Sequence, residues 1–140
     1  MNPLTVEQKH LEIIEGDASL LYLLQRYAEQ IGYLIHIEKS PFSVEAIQSH
    51  DPVAVIFPSV EILESAQTLA AALTNNDIPI IVCSSLSDQA KTRELGADYC
   101  LLHPLVFESF SAAVNAAVKS QLESRASKSE GHGSSSINPV

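Results

Sequence analysis

Short apolar runs alternate with stretches in which apolar residues recur every three or four positions. The runs predict five strands, at residues 11–14, 34–37, 53–57, 78–83 and 99–102. The stretches between and after them predict helices, the last at about residues 107–122. Strands and helices that alternate in this way predict an α/β fold, a doubly wound parallel sheet of five strands with helices on both faces.

Capping residues mark several of the predicted helix ends. Asp17 or Ser19 could cap the first helix, and Gly32 suits its end. Ser43 is placed to cap a short second helix. The fourth helix, at residues 88–95, is expected to be brief and to end at Gly96. A third helix is predicted as one continuous element at residues 62–73.

The length of 140 residues suits one ordinary domain. We place that domain at residues 9–122 and treat residues 1–8 as an N-terminal extension. From residue 123 the chain is rich in serine and glycine and has few apolar residues. This composition predicts a flexible tail at residues 123–140.

Composition and charge argue against several classes of partner. The formal net charge of −9 disfavours nucleic acid and anionic membranes, both of which bind clustered lysine and arginine. The N-terminus has no pattern of a leader, and no apolar run is long enough to span a bilayer. The cytoplasm is therefore the expected compartment.

The cysteines and histidines do not form a recognisable motif. Cys83 and Cys100 lie in apolar runs, where reduced core cysteines are common, so no disulfide is expected. The four histidines outside the strand ends show no metal-ligand spacing. They are His10, His36, His50 and His132.

Candidate chemistry is expected where the strands end, because open α/β sheets place their active groups beyond the carboxyl ends of the strands. The residues found there are Glu15, Gly16, Asp17, Pro58, Ser84, His103 and Pro104. Pro58 is unexpected, since proline has neither side-chain chemistry nor a backbone N–H.

Four segments in this order, LEIIEGDASLLYLL, HDPVAVIFPS, DIPIIVCSS and GADYCLLHPL, carry a resemblance to a known family. Over residues 9–120 the chain resembles the receiver domain of response regulators, which act in two-component phosphorelay signal transduction. The resemblance implies a flavodoxin-like receiver fold with strand order 2-1-3-4-5.

The resemblance also assigns roles to positions at the strand ends. The acidic pair that binds Mg²⁺ falls on Glu15 and Gly16, with Asp17 next in line. The phosphoryl-accepting aspartate falls on Pro58. The hydroxyl position falls on Ser84, which is retained, and the lysine position falls on His103. We expect no catalytic residue and no cofactor, with Glu15 and Asp17 only weak candidates for Mg²⁺.

Further features of the family map onto the end of the chain. The bond before Pro104 is expected to be cis. The switch aromatic falls on Cys100, with Tyr99 one place earlier and therefore on the other face of the sheet. The contact surface of receivers falls on about residues 88–122. Its candidate residues here are Tyr99, Cys100, Phe107 and Phe110.

The sequence is thus identified as a degenerate receiver, a pseudo-receiver that signals without catalysis through contacts with proteins. A histidine kinase, another regulator or a second copy of the chain could be the partner. One alternative is a conventional receiver with a displaced acceptor, for which Asp51 and Glu61 are the nearby carboxylates. Another is a small-ligand or cation site, or a hydrolase site, at Glu15, Ser84 and His103. His103 could also sense pH.

Overall fold

In a computed structural model of this chain, residues 8–137 are described, with side chains described as far as Ala126. Five strands run along this part of the chain, namely β1 Lys9–Ile14, β2 Tyr33–Glu38, β3 Ala54–Phe57, β4 Ile80–Ser84 and β5 Tyr99–Leu102. The helices are α1 Ala18–Gln30, α2 Val44–Ser49, α3 Val60–Ser65, α4 Gln67–Asn75, α5 Gln89–Glu94 and α6 Phe107–Ile137. A single 3₁₀ turn, Leu86–Asp88, precedes α5.

The strands form one parallel sheet in the order β2-β1-β3-β4-β5, which confirms the predicted fold and strand order. Strand β1 lies between β2 and β3, with Glu12 opposite both His36 and Val55. All residues of β3 and β4 are buried. Because helices cover both faces, these central strands can be apolar on both sides.

Two hydrophobic layers pack against the sheet, one on each face. The first lies under α1 and α6 and includes Leu24, Ile56 and Phe110. The second lies under α2, α3 and α4 and includes Ile47, Phe57 and Leu73. Neighbouring residues of a strand point to opposite layers, so the sheet fixes which side chains can meet.

Side-chain caps set the start of two helices as the sequence predicts. The Asp17 carboxylate accepts a hydrogen bond of 3.0 Å from the backbone N–H of Leu20. The Ser43 hydroxyl accepts one of 3.2 Å from the N–H of Ala46. Each cap satisfies a backbone donor that has no partner within its helix.

The structure divides the predicted third helix into α3 and α4. The break lies at Ala66, whose φ of −118° and ψ of 42° are not helical. The side chain of Gln67 donates to the carbonyls of Leu63 and Leu95, at 2.9 and 3.0 Å. The Leu63 carbonyl also accepts from the N–H of Ala66 at 3.2 Å, so the end of α3 keeps its hydrogen bonding at the break. The apolar spacing continues across Ala66, which is why the sequence does not reveal the break.

The last helix is longer than predicted, because α6 continues past Leu122 to Ile137. The prediction that the last helix ends at about residue 122 is therefore wrong, while the flexibility expected for residues 123–140 stays a prediction. Helix elongation adds one hydrogen bond per residue, and Glu, Arg and Ala at positions 123, 125 and 126 favour it. The Arg125 guanidinium also pairs with the Asp51 carboxylate at 3.0 Å. Residues 1–7 and 138–140 lie outside the described part.

None of the described helices combines the length and the apolar character needed to cross a membrane.

Candidate functional site

The loop after β1 holds the two carboxylates predicted at its strand end. Glu15 has a positive φ of 55°, its N–H donates to the Glu38 carbonyl at 2.9 Å, and its carboxylate accepts from the N–H of Ser40 at 3.2 Å. Asp17 caps α1. Both carboxylates therefore have structural hydrogen bonds, and their role as weak Mg²⁺ candidates stays a prediction.

Pro58 follows β3 directly and is buried. Its ring lies against Gly16, where an added Cβ would be 2.8 Å from Pro58 Cγ and 3.1 Å from its Cβ. Gly16 has a φ of +118°, which residues with a side chain rarely adopt. At the two positions where the resemblance places carboxylates, the structure therefore has a close contact between glycine and an apolar ring.

Ser84 ends β4 and is only 3% exposed. Its hydroxyl donates to the Ser85 carbonyl at 3.0 Å and lies 3.0 Å from the Sγ atom of Cys100. These contacts give the hydroxyl local partners, as is common for serine at the end of a strand.

His103 follows β5 with an exposed side chain. Its backbone N–H donates to the Ser84 carbonyl at 3.1 Å, and the peptide bond to Pro104 is cis, as the resemblance implies. Among the described residues, no hydrogen bond joins the side chains of Glu15, Ser84 and His103. The Ser-His-carboxylate arrangement considered from the sequence therefore has no hydrogen bonds to support it among these residues.

Tyr99 and Cys100 face opposite sides of the sheet. Tyr99 packs with the layer under α6, where its hydroxyl donates to the Ala116 carbonyl at 3.2 Å. Cys100 packs with the opposite layer. Tyr99 therefore does not lie on the face of the sheet where the resemblance places the switch aromatic, at Cys100.

The phenylalanines of α6 do not form an exposed patch. Phe110 is 0% exposed and belongs to the core, so its assignment to an interaction face is wrong. It lies on the helix side that faces the sheet. Phe107 is half-buried and meets the ring of Tyr27 edge to face, with centroids 5.5 Å apart.

A cluster that the sequence did not predict lies on β1, β2 and the end of α2. The Nδ1 atom of His50 is 2.9 Å from Glu12 Oε2 and 4.0 Å from Glu38 Oε2. The rings of His36 and His50 are stacked, with centroids 3.8 Å apart. His36 Nε2 is in turn 2.8 Å from His10 Nδ1. We call these five residues the imidazole cluster.

Burial changes the acid–base behaviour of this cluster. The Glu12 side chain is fully buried, which raises its pKa from 4.5 to about 9, and the hydrogen bond and charge of Glu38 add to the shift. Burial also lowers the pKa of His36, and the nearby His50 and His10 rings act in the same direction. Both effects favour uncharged groups.

The sequence does contain a signal for this cluster. In both β1 and β2, polar residues occupy alternate positions between apolar ones, which places His10 and Glu12 beside His36 and Glu38 on one face. A strand buried on both faces would be apolar throughout. His50 is far away in sequence, and only the path of α2 brings it to the same face.

Comparisons with solved structures support the observed fold. The structure of NtrX from Brucella abortus, solved in complex with ADP, matches 89% of this chain with 11% identity and a TM-score of 0.71. The signal receiver domain of an HD domain-containing protein from Pseudomonas fluorescens also matches 89%, with 19% identity and a TM-score of 0.70. A response regulator receiver modulated diguanylate cyclase from Pelobacter carbinolicus matches 84%, with 21% identity and a TM-score of 0.64.

The share of each neighbour that is covered differs. This chain spans 29% of the NtrX chain, 98% of the Pseudomonas chain and 97% of the Pelobacter chain. No protein-family model and no curated protein matches the sequence. The chain therefore has the receiver fold, and its function has to be argued from its own residues.

Proposed function

We propose that this chain is a pseudo-receiver, a signalling domain that keeps the receiver fold and acts through protein contacts without being phosphorylated. Pro58 carries the proposal, because a buried proline stands at the end of β3 where the resemblance places the phosphoryl-accepting aspartate. We further propose that the chain is not an enzyme and acts in the cytoplasm.

The chemistry of phosphoryl transfer supports this proposal. The acceptor has to be a carboxylate, and a cation and a fixed ammonium group have to neutralise the charge that develops. Pro58 offers no nucleophile, and Gly16 offers no second carboxylate for Mg²⁺. His103 is exposed and can offer only a conditional charge in place of lysine.

A receiver fold that cannot accept a phosphoryl group can still signal by binding another protein through its surface. The surface at residues 88–122 and the turn before it carry exposed apolar side chains. They are Leu86, Val106 and Leu122, with exposed fractions of 71%, 45% and 61%. The partner in this proposal is a histidine kinase, another regulator or a second copy, and the net charge of −9 continues to disfavour nucleic acid.

We expect the chain to remain unmodified when it is incubated with Mg²⁺ and acetyl phosphate, a small phosphoryl donor. Intact-mass spectrometry measures the result, with a conventional receiver as the positive control. A gain of one phosphoryl group that hydroxylamine removes would contradict the proposal. The variants Asp51→Asn and Glu61→Gln would then show whether either carboxylate is a displaced acceptor.

A further inference from the structure

Of the imidazole cluster, Glu38 ends β2 beside Glu15, whereas His10 and His50 lie away from the strand ends that carry the degenerate pocket. His50 follows α2 and precedes β3, and the N–H of Val53 donates to the His10 carbonyl at 2.8 Å. The cluster therefore extends from the edge where β1 and β3 begin, at His10 and His50, along β1 and β2 through Glu12 and His36. Its chemistry does not depend on the proposed function.

The cluster places four half-buried polar side chains around one fully buried carboxylate. A fully buried carboxylate such as Glu12 is costly unless a cation, a proton or hydrogen-bond donors satisfy it. Imidazoles that stack as closely as those of His36 and His50 repel each other when both are protonated. A metal cation bound by neutral imidazoles and a carboxylate would satisfy all of these groups together.

The distances suit one small cation. Glu12, His36 and His50 each offer one ligand atom, and these atoms lie within 4.8 Å of one another. Ligands of a tetrahedral Zn²⁺ lie about 3.3 Å apart, given bonds of about 2.0–2.1 Å. The three groups therefore have to approach by up to about 1.5 Å, and His50 has to turn out of its stack with His36.

His50 would make this adjustment by leaving its stack with His36. It stands at the end of α2 with a side chain that is 31% exposed, whereas Glu12 is held on a central strand. A groove of about 390 Å³ is lined by His10 and His50, so a cation that enters it would meet these two histidines first.

We propose that Glu12, His36 and His50 form a binding site for a divalent transition-metal cation, with Zn²⁺ as the best match. Two imidazoles and one carboxylate are a common ligand set for Zn²⁺ and leave a fourth position open. Mg²⁺, which prefers oxygen ligands, does not suit this set. His10 contacts His36 at 2.8 Å and acts as the partner that orients its ring.

Isothermal titration calorimetry with Zn²⁺ on the untagged full chain tests the proposal. All proteins carry His132→Gln, because the side chain of His132 lies outside the described part. We expect saturable binding of one ion, a loss of affinity of more than about 100-fold in His36→Gln and in His50→Gln, and a loss of about 10–100-fold in His10→Gln. His103→Gln, which removes an exposed histidine elsewhere, is the matched control and should bind as tightly as its parent.

Absorption of the Co²⁺-loaded chain gives a second readout that needs no variant. We expect the visible bands of a nitrogen and oxygen site without a thiolate charge-transfer band, since Cys83 and Cys100 are not in the cluster. Circular dichroism checks that each variant is folded. Absence of saturable binding, a thiolate band, or equal affinity in folded His50→Gln and its parent would each overturn the proposal.

Discussion

Replacing Gly16 with aspartate, which restores a carboxylate at the second acidic position, is expected to destabilise the fold by roughly 2–6 kcal/mol. The backbone φ of +118° accounts for about 1–3 kcal/mol of this cost. Crowding accounts for a further ~1–3 kcal/mol, since the new Cβ would lie 2.8 Å from Pro58 Cγ. Urea unfolding of the two proteins measures the difference in the free energy of unfolding.

Gly96→Asp is the matched control for this change. Gly96 also has a positive φ, of +104°, but a Cβ there would have no neighbour within 4 Å. Gly96→Asp should therefore lose only the ~1–3 kcal/mol of stability that the positive φ costs. The variant Pro58→Ala should reduce the cost of Gly16→Asp, because it removes the ring atom nearest to the new Cβ. Equal losses in Gly16→Asp and Gly96→Asp would show that Pro58 does not block the position.

The second large effect is expected at Glu12, in protein kept free of metal by a chelator. Its folded pKa of about 9 lies above the 4.5 of the free side chain, so folding favours the protonated form. The resulting stability is fully present below about pH 4.5 and is lost as pH rises towards 9. Between pH 5 and pH 8 the loss can reach roughly 4 kcal/mol, at about 1.4 kcal/mol per pH unit.

Glu12→Gln keeps the shape of the side chain and cannot ionise, so its stability should lack this decline and exceed that of the parent at pH 8. Burial opposes ionisation of Glu12 most strongly, and the hydrogen bond and charge of Glu38 act in the same direction. Urea unfolding from pH 5 to pH 8 measures the effect. Glu29→Gln, at an exposed position on α1, should follow the parent. If the free energies of unfolding of Glu12→Gln and of the parent changed with pH in parallel, the raised pKa of Glu12 would be contradicted.

The sequence predicted the architecture because the strands of a doubly wound sheet are short and apolar. Strand β5 was predicted with its observed limits. The order of the five strands, which the resemblance to receivers implied, was also correct. The errors lie where periodicity carries no information. The break at Ala66 leaves the apolar spacing intact. Beyond Leu122 the helix α6 continues through a segment in which apolar spacing does not mark where a helix ends.

Some site residues were placed correctly in the fold and others were missed, again because a sequence pattern carries only local information. Pro58, Ser84 and His103 were placed at strand ends, because position in the chain determines position at the edge of the sheet. Phe110 was assigned to the wrong side of α6, since an aromatic residue on an amphipathic helix suits either a core or a contact surface. Glu12 and His50 were missed because their contact depends on strand register and on the path of α2, neither of which is a local property.

An amide NMR titration of the full chain, first with Mg²⁺ and then with added beryllofluoride, tests the central claim most directly. Beryllofluoride mimics the phosphoryl group on an aspartate, and it binds where a carboxylate, a cation and a lysine meet. With Pro58 at the acceptor position, added beryllofluoride should leave the amide signals of Glu15, Ser59, Ser84 and His103 where Mg²⁺ alone leaves them. Saturable shifts on addition of beryllofluoride that cluster at these residues would mean that the pocket still binds a phosphoryl group, and the pseudo-receiver account would be wrong.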